Sequence, residues 1–227
     1  MLQVIIIVLR ALFVLSIVSV ATPALAANYV VNDVGSNGDS NLADGICDAV
    51  GAQTCTLRAA IEQGNARSGP HTITFAASVT AITITVGLPT ITAPVTIDGL
   101  NANAVGQRVD INGNNLGGFD FSETSTSVNA HGARGSTIKN LVIRNFNDDG
   151  ISLSGHGYTV TNCYIGVMPD GETASHNSDD GISISGVIPR LPSIPNLPGN
   201  FNFDPAQIAA QLVMLFSSIP PTSSMII

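Results

Sequence analysis

Charge is scarce in this chain of 227 residues: Asp, Glu, Lys and Arg make up 11% of it and aromatic residues only 5%. A globular domain built on helices rich in Glu, Lys, Leu and Ala is thereby excluded, and the 22 glycines point instead to an all-β chain with many turns. Basic residues are scarcest. The eight Lys and Arg against sixteen Asp and Glu give a formal charge of −8, and they are scattered rather than gathered on one face. A nucleic-acid partner, which needs a basic surface to neutralise phosphates, is not expected. Cysteine is limited to Cys47, Cys55 and Cys163, too few and too far from other thiols or imidazoles for a structural zinc site.

The apolar residues, 44% of the chain, are partly concentrated at its start. Arg10 is the one charged side chain before Asp33, Ala11 to Val20 is an apolar run, and Ala24-Leu25-Ala26 supplies a small-x-small pattern. These features predict an export signal over residues 1–26, cleaved after Ala26. The competing reading is an uncleaved anchor, but the apolar stretch Val4 to Val20 is broken by Arg10 and short for a bilayer span. The expected mature form is secreted or held at the cell surface and does not span a membrane. Losing Arg10 takes its charge to −9.

Export suits a disulfide. Cys47 and Cys55 enclose the seven residues Asp48 to Thr54, and a bridge there would contribute about 2 kcal/mol by restricting the unfolded chain. Cys163 is left over and reads as a small buried hydrophobe. Asn28 to Val34 reads as a short strand that runs into a turn-rich loop. In that loop Asp33, Asn37, Asp39, Asp44 and Asp48 offer either oxygen ligands for a calcium ion or Asx-turns that satisfy their own backbone, and no Glu stands at an EF-hand spacing. No other cofactor is suggested.

Thr56 to Ala66 has helical character: Thr56 as N-cap, Leu57, Ala60 and Ile61 on one face, and Gly64-Asn65 as a stop. So short a helix must lie on something else to be stable. From His71 the period becomes two. Ile73 and Phe75, then Ile82, Ile84 and Val86, alternate with threonines, and turn signals at Gly87-Leu88-Pro89, Ala93-Pro94, Asp98-Gly99 and Gly113-Asn114-Asn115 break the chain into short strands.

Repetition is the strongest internal signal. Asp148-Asp149-Gly150-Ile151-Ser152-Leu153-Ser154-Gly155 returns as Asp179-Asp180-Gly181-Ile182-Ser183-Ile184-Ser185-Gly186, identical at seven of eight positions. Ile138 to Ile143 aligns with Val160 to Ile165 at an offset of 22, bringing Asn140 onto Asn162. A period near 22 with variable loops predicts a right-handed parallel β-helix, each coil stacking its apolar residues on the next, with the helix at Thr56 covering the N-terminal end. Beyond Gly186 the repeat ends, and Pro189, Pro192, Pro195 and Pro198 introduce a tail with a short apolar helix expected over Ala206 to Phe216. The resulting division is a leader at 1–26, a cap with the first strands at 27–99, coils at 100–188 and a Pro-rich tail at 189–227.

Gly45-Ile46-Cys47-Asp48-Ala49, Cys55-Thr56-Leu57-Arg58-Ala59-Ala60-Ile61 and Gly64-Asn65-Ala66 together resemble the signature of the CSLREA domain, with Thr56 in place of the usual Ser and Ala59 in place of the usual Glu. The resemblance covers about Asn28 to Gly99, and the coils after it resemble the parallel β-helix repeats of the pectin-lyase-like superfamily. It implies a secreted or surface protein of bacterial type, though members are often much longer than this chain.

Two functions follow as expectations. The first is a structural, adhesive or glycan-binding protein whose partner is an extracellular polysaccharide or another cell-surface component. The second is a polysaccharide-degrading hydrolase or lyase using Asp148, Asp149, Asp179 and Asp180, stacked on adjacent coils, with His156 near the first pair. Asp-Gly before a strand is also ordinary turn chemistry. The Arg-Lys pair expected to hold an acidic sugar is missing, and Arg144, the one candidate base near a coil, reads as a solvated side chain. No catalytic constellation is therefore evident.

Overall fold

The computed structural model describes residues 26–49, 53–124 and 131–186. The leader up to residue 25 and everything from 187 onward, including the Pro-rich tail and the helix expected at Ala206 to Phe216, lie outside the described residues. Within them the chain is mostly short strands in parallel sheets, with one α-helix.

Twelve strands follow in order: β1 (Asn28–Val31), β2 (His71–Phe75), β3 (Ala81–Thr83), β4 (Val95–Asp98), β5 (Val109–Asn112), β6 (Phe119–Ser122), β7 (Thr137–Lys139), β8 (Leu141–Arg144), β9 (Ile151–Ser154), β10 (Thr159–Thr161), β11 (Tyr164–Ile165) and β12 (Ile182–Ser185). They form three sheets. Sheet A has the order β1-β2-β4-β7-β10, sheet B β11-β8-β5-β3 and sheet C β12-β9-β6. All the strand pairs are parallel, and from β4 onward the chain visits A, B and C in rotation.

Register follows from the period-two pattern, because a one-residue slip would turn every buried side chain outward. In sheet A, Tyr29, Ile73, Ile97, Ile138 and Val160 stand in one column. In sheet B, Ile82, Ile111, Ile143 and Ile165 do the same. In sheet C the columns are Phe119, Ile151, Ile182 and Phe121, Leu153, Ile184, with Ile91 bridging to Phe121. Burying each such side chain contributes roughly 1.5–3 kcal/mol. The columns fade at the last strands, where Ile182 and Ile184 are 38% and 73% exposed. The alternation expected through Val86 stops earlier: β3 ends at Thr83, Ile84 is still buried, and Val86 is exposed.

Helix α1 (Leu57–Asn65) buries Leu57, Ala59, Ala60, Ile61, Gln63 and Gly64. The Thr56 hydroxyl accepts from the Ala59 N–H at 3.0 Å, relieving one of the amides that a helix start leaves unpaired. The helix ends at Asn65, as the Gly64-Asn65 stop predicts, but Gly64 is not itself the cap. It lies inside the last turn, close to His71 and Tyr29, and Ala66 closes the helix in the right-handed region. From α1, the Arg58 guanidinium reaches the Gly87 carbonyl, and Asn65 bonds both Thr90 O and Thr92 N. The helix thus spans β1, β2 and the 87–92 segment at the N-terminal side of the sheets.

Candidate outer-face site on sheet C

Alternation on sheet C turns Phe119, Phe121, Ile151 and Leu153 inward, so the intervening side chains face out. Those are Asp120 and Ser122 on β6, Ser152 and Ser154 on β9, and Ser183 and Ser185 on β12, paired in register. Every outward position is thus a small polar residue, and Ser154 and Ser185 hydroxyls are 2.9 Å apart. A shallow groove of about 400 Å³ borders the start of these strands, lined by Gly87, Thr90, Asp120, Asp148, Asp149 and Ser152 among others. None of its lining residues is basic. A second groove of about 360 Å³ borders the far ends, lined by Ser122, Glu123, Thr124, Ser154, Gly155 and Ser185.

The repeat places the acidic pairs on top of each other. Asp148, Asp149 and Asp179 bring carboxylate oxygens within 4.8 Å of one another. Asp180 joins through its backbone, its N–H donating to Asp149 Oδ1 at 3.1 Å and its carbonyl accepting the Gly150 N–H at 2.9 Å. These oxygens stand closer than the roughly 5–10 Å that separates the two carboxyl groups flanking a glycosidic bond.

His156 is not near this cluster. β9 lies between them, a span of about 13 Å for four extended residues. At the far end His156 Nδ1 is 2.9 Å from Glu123 Oε1, and its backbone N–H donates to the same oxygen at 2.7 Å. Glu123 was not singled out in the sequence, nor was Asp120, which accepts from the Thr90 hydroxyl at 2.8 Å. Their signal was the Phe119-Asp120-Phe121-Ser122 alternation, which matches Ile151 to Ser154 in pattern but not in residue identity. Beneath the face, Tyr158 packs edge-on against Phe121 and donates to the Ser154 carbonyl at 2.8 Å. Burial pushes its phenol up to about 12, with the charges of Glu123 and Asp120 acting in the same direction.

Arg144 is not a solvated side chain. Its Nε and Nη2 clamp both carboxylate oxygens of Asp110 at 2.9 and 2.8 Å, with side chains only 15% and 10% exposed. Asp110 and Arg144 lie diagonally across the β5–β8 pair, within reach of a long side chain. The base that a lyase reading would have used is therefore bound up on sheet B.

In the loop before α1, the Asp33, Asp39 and Asp44 carboxylates accept the N–H of the residue two positions on, Gly35, Asn41 and Ile46, at 2.6–2.8 Å. Asp39 also accepts from Asp48 N–H at 3.1 Å. Among the described residues, Asp148, Asp149 and Asp179 are the one acidic trio whose oxygens converge to a metal-ligand spacing. Cys47 and Cys55 form a disulfide. Cys163 is half-buried rather than buried, packed against the core, and burial raises its thiol. Asn140 and Asn162 form a ladder at the A-to-B corner: Asn162 Nδ2 donates to Asn140 Oδ1, and Asn140 Nδ2 to Asp98 Oδ1, both at 2.6 Å. Arg108 closes the ladder against Asn162 and stacks 4.0 Å over the Tyr164 ring.

Among the described residues no helix is long and apolar enough to cross a membrane. Comparison with family models, curated proteins and solved structures gave no match.

Proposed function

We propose that the chain is an exported, short right-handed parallel β-helix of the CSLREA type, whose role is structural or adhesive and whose outer face on sheet C holds a neutral glycan. Support for the solenoid comes from the rotation of the chain through three sheets and from the 31- and 22-residue repeats that reappear as strand register. Right-handedness follows the general rule for parallel crossover connections. The single observation that carries the functional reading is the outward set Asp120, Ser122, Ser152, Ser154, Ser183 and Ser185, in register on three parallel strands. Hydroxyls repeating about every 4.8 Å offer a donor and acceptor ladder to an extended polyol. The bordering carboxylates, without a basic residue in the groove lining, disfavour an acidic polysaccharide.

A second reading has its own observation. The convergence of Asp148, Asp149 and Asp179 supplies a cluster of carboxylates from which a hydrolase or lyase could draw a general acid or base. The test takes the mature chain, Ala27 to Ile227, and measures its retention on neutral and acidic polysaccharides. Reducing ends and unsaturated products are scored in parallel, with and without calcium. Retention on neutral glycans without turnover, lost when Ser152 and Ser183 become Lys, is expected. Turnover that disappears in Asp149→Asn or Asp180→Asn would replace the binding role with the enzymatic one.

A further inference from the structure

Ala27 meets the rest of the chain through both of its backbone polar groups. Its carbonyl accepts the Thr72 N–H at 2.8 Å, and its nitrogen donates to His71 Nδ1 at 3.4 Å. His71 opens β2 and is 2% exposed. Its other ring nitrogen, Nε2, is 3.3 Å from the Arg67 carbonyl. A carbonyl oxygen only accepts, so Nε2 carries the proton and the neutral ring presents a bare lone pair at Nδ1. The expected cleavage after Ala26 would convert the nitrogen that meets this lone pair from a peptide amide into an amine.

We propose that His71 is the receptor for the α-amino terminus released by cleavage between Ala26 and Ala27, and that this pair makes the attachment of β1 to sheet A sensitive to acid. The proposal rests on the reading of the chain as exported. An α-ammonium group offers three donors where the amide offered one. One is directed at Nδ1, and the half-buried position of Ala27 leaves the others open to water. Around the imidazole stand the Tyr29 ring of β1 at 5.8 Å, Gly64 of α1, and Arg67 of the α1–β2 connection. Arg67 is the charged group acting on it, and Asp39 acts on the neighbouring Tyr29. Burial holds His71 below the ordinary imidazole range, and Arg67 pushes it further down against the hydrogen bond to its own carbonyl. With a depressed value, the folded state binds fewer protons than the unfolded one, so this contribution is complete above about pH 6.5 and is lost as pH falls through the folded value.

Protonation at Nδ1 sets two cations face to face across the 3.4 Å contact. Even with the dielectric of water, their repulsion amounts to about one pH unit in the titration of His71. The experiment expresses the chain with its leader in a secreting bacterium and measures the intact mass of the exported product. His71 is then titrated by NMR in that product and in the same product after Nα-acetylation. A mass starting at Ala27, and a His71 midpoint that acetylation raises by about one unit, is the expected result. A product that retains the leader overturns the export reading and the proposal with it, and a product cleaved at another bond overturns the proposal alone. A product starting at Ala27 whose His71 midpoint does not move overturns the proposal alone. His71→Asn, which keeps an acceptor but does not titrate, is expected to flatten the loss of melting temperature between about pH 7 and 5, and an unchanged slope counts against the proposal. The acetylation comparison decides the matter if that variant fails to fold.

Discussion

The Arg144–Asp110 clamp gives the sharpest test of what holds the strands together. Both side chains are largely withdrawn from water, at 15% and 10% exposure, and the contact is a two-point one. Ser175 adds a longer hydrogen bond to Arg144 Nη1 at 3.4 Å. Removing one partner of such a pair strands the other charge in a poorly solvated place. Asp110→Ala and Arg144→Met are each therefore expected to cost about 3 kcal/mol. Removing both leaves no orphan, so the double variant is expected within about 1 kcal/mol of the parent, a coupling of several kcal/mol. For a described body of this size, each single variant would lower the melting temperature by about 6–12 °C. Urea denaturation of the four proteins, followed by far-ultraviolet circular dichroism, measures the cycle. Single-variant costs below about 0.5 kcal/mol that simply add would refute the reasoning and return Arg144 to the behaviour of a solvated surface residue.

Two further outcomes follow from the ladder and the cap. Asn140 holds φ +58 and bonds both Asp98 and Asn162, so Asn140→Ala is expected to cost about 2 kcal/mol and Asn140→Gly, which keeps the backbone conformation, about half that in the same urea assay. Burial raises the Asp98 carboxyl, but the amide of Asn140, the Leu100 N–H and Lys139 together hold it below the ordinary value. Its contribution is present above about pH 3.8 and lost as pH falls through the folded value, and the Asn140 variants should lose part of that acid limb. Replacing Cys47 and Cys55 by Ser is expected to cost about 2 kcal/mol, read as a fall of about 4–8 °C in melting temperature, and an unchanged value would show that the loop is held by its Asx-turns alone.

Local pattern was legible wherever a residue's neighbours in sequence are also its neighbours in space. The period of two along Ile73, Phe75, Ile82 and Ile84 foretold their inward side, because successive side chains on a strand point in opposite directions. The eight-residue repeat foretold the pairing of Ile151 with Ile182, because equal spacing puts equal residues in one column. Thr56, Leu57 and Ile61 foretold a capped helix with a buried stripe, and the seven residues between Cys47 and Cys55 kept the disulfide local.

Partnership between distant residues was decided by the stacking alone. Asp110 and Arg144 are 34 residues apart, and the β5–β8 register turned an apparently solvated guanidinium into half of a withdrawn ion pair. His156 follows Ser154 closely in sequence, yet it sits beyond the far end of β9, where Glu123 holds it, and not with Asp148 and Asp149. Gly64-Asn65 reads as a helix stop and the helix does end at Asn65, but Gly64 lies inside the last turn, beside His71 and Tyr29, rather than beyond it. In each case the sequence determined which face a side chain takes, since that depends on backbone geometry over a few residues. Which group it meets there depends on how far each connection shifts the next strand, and only the folded chain decided that.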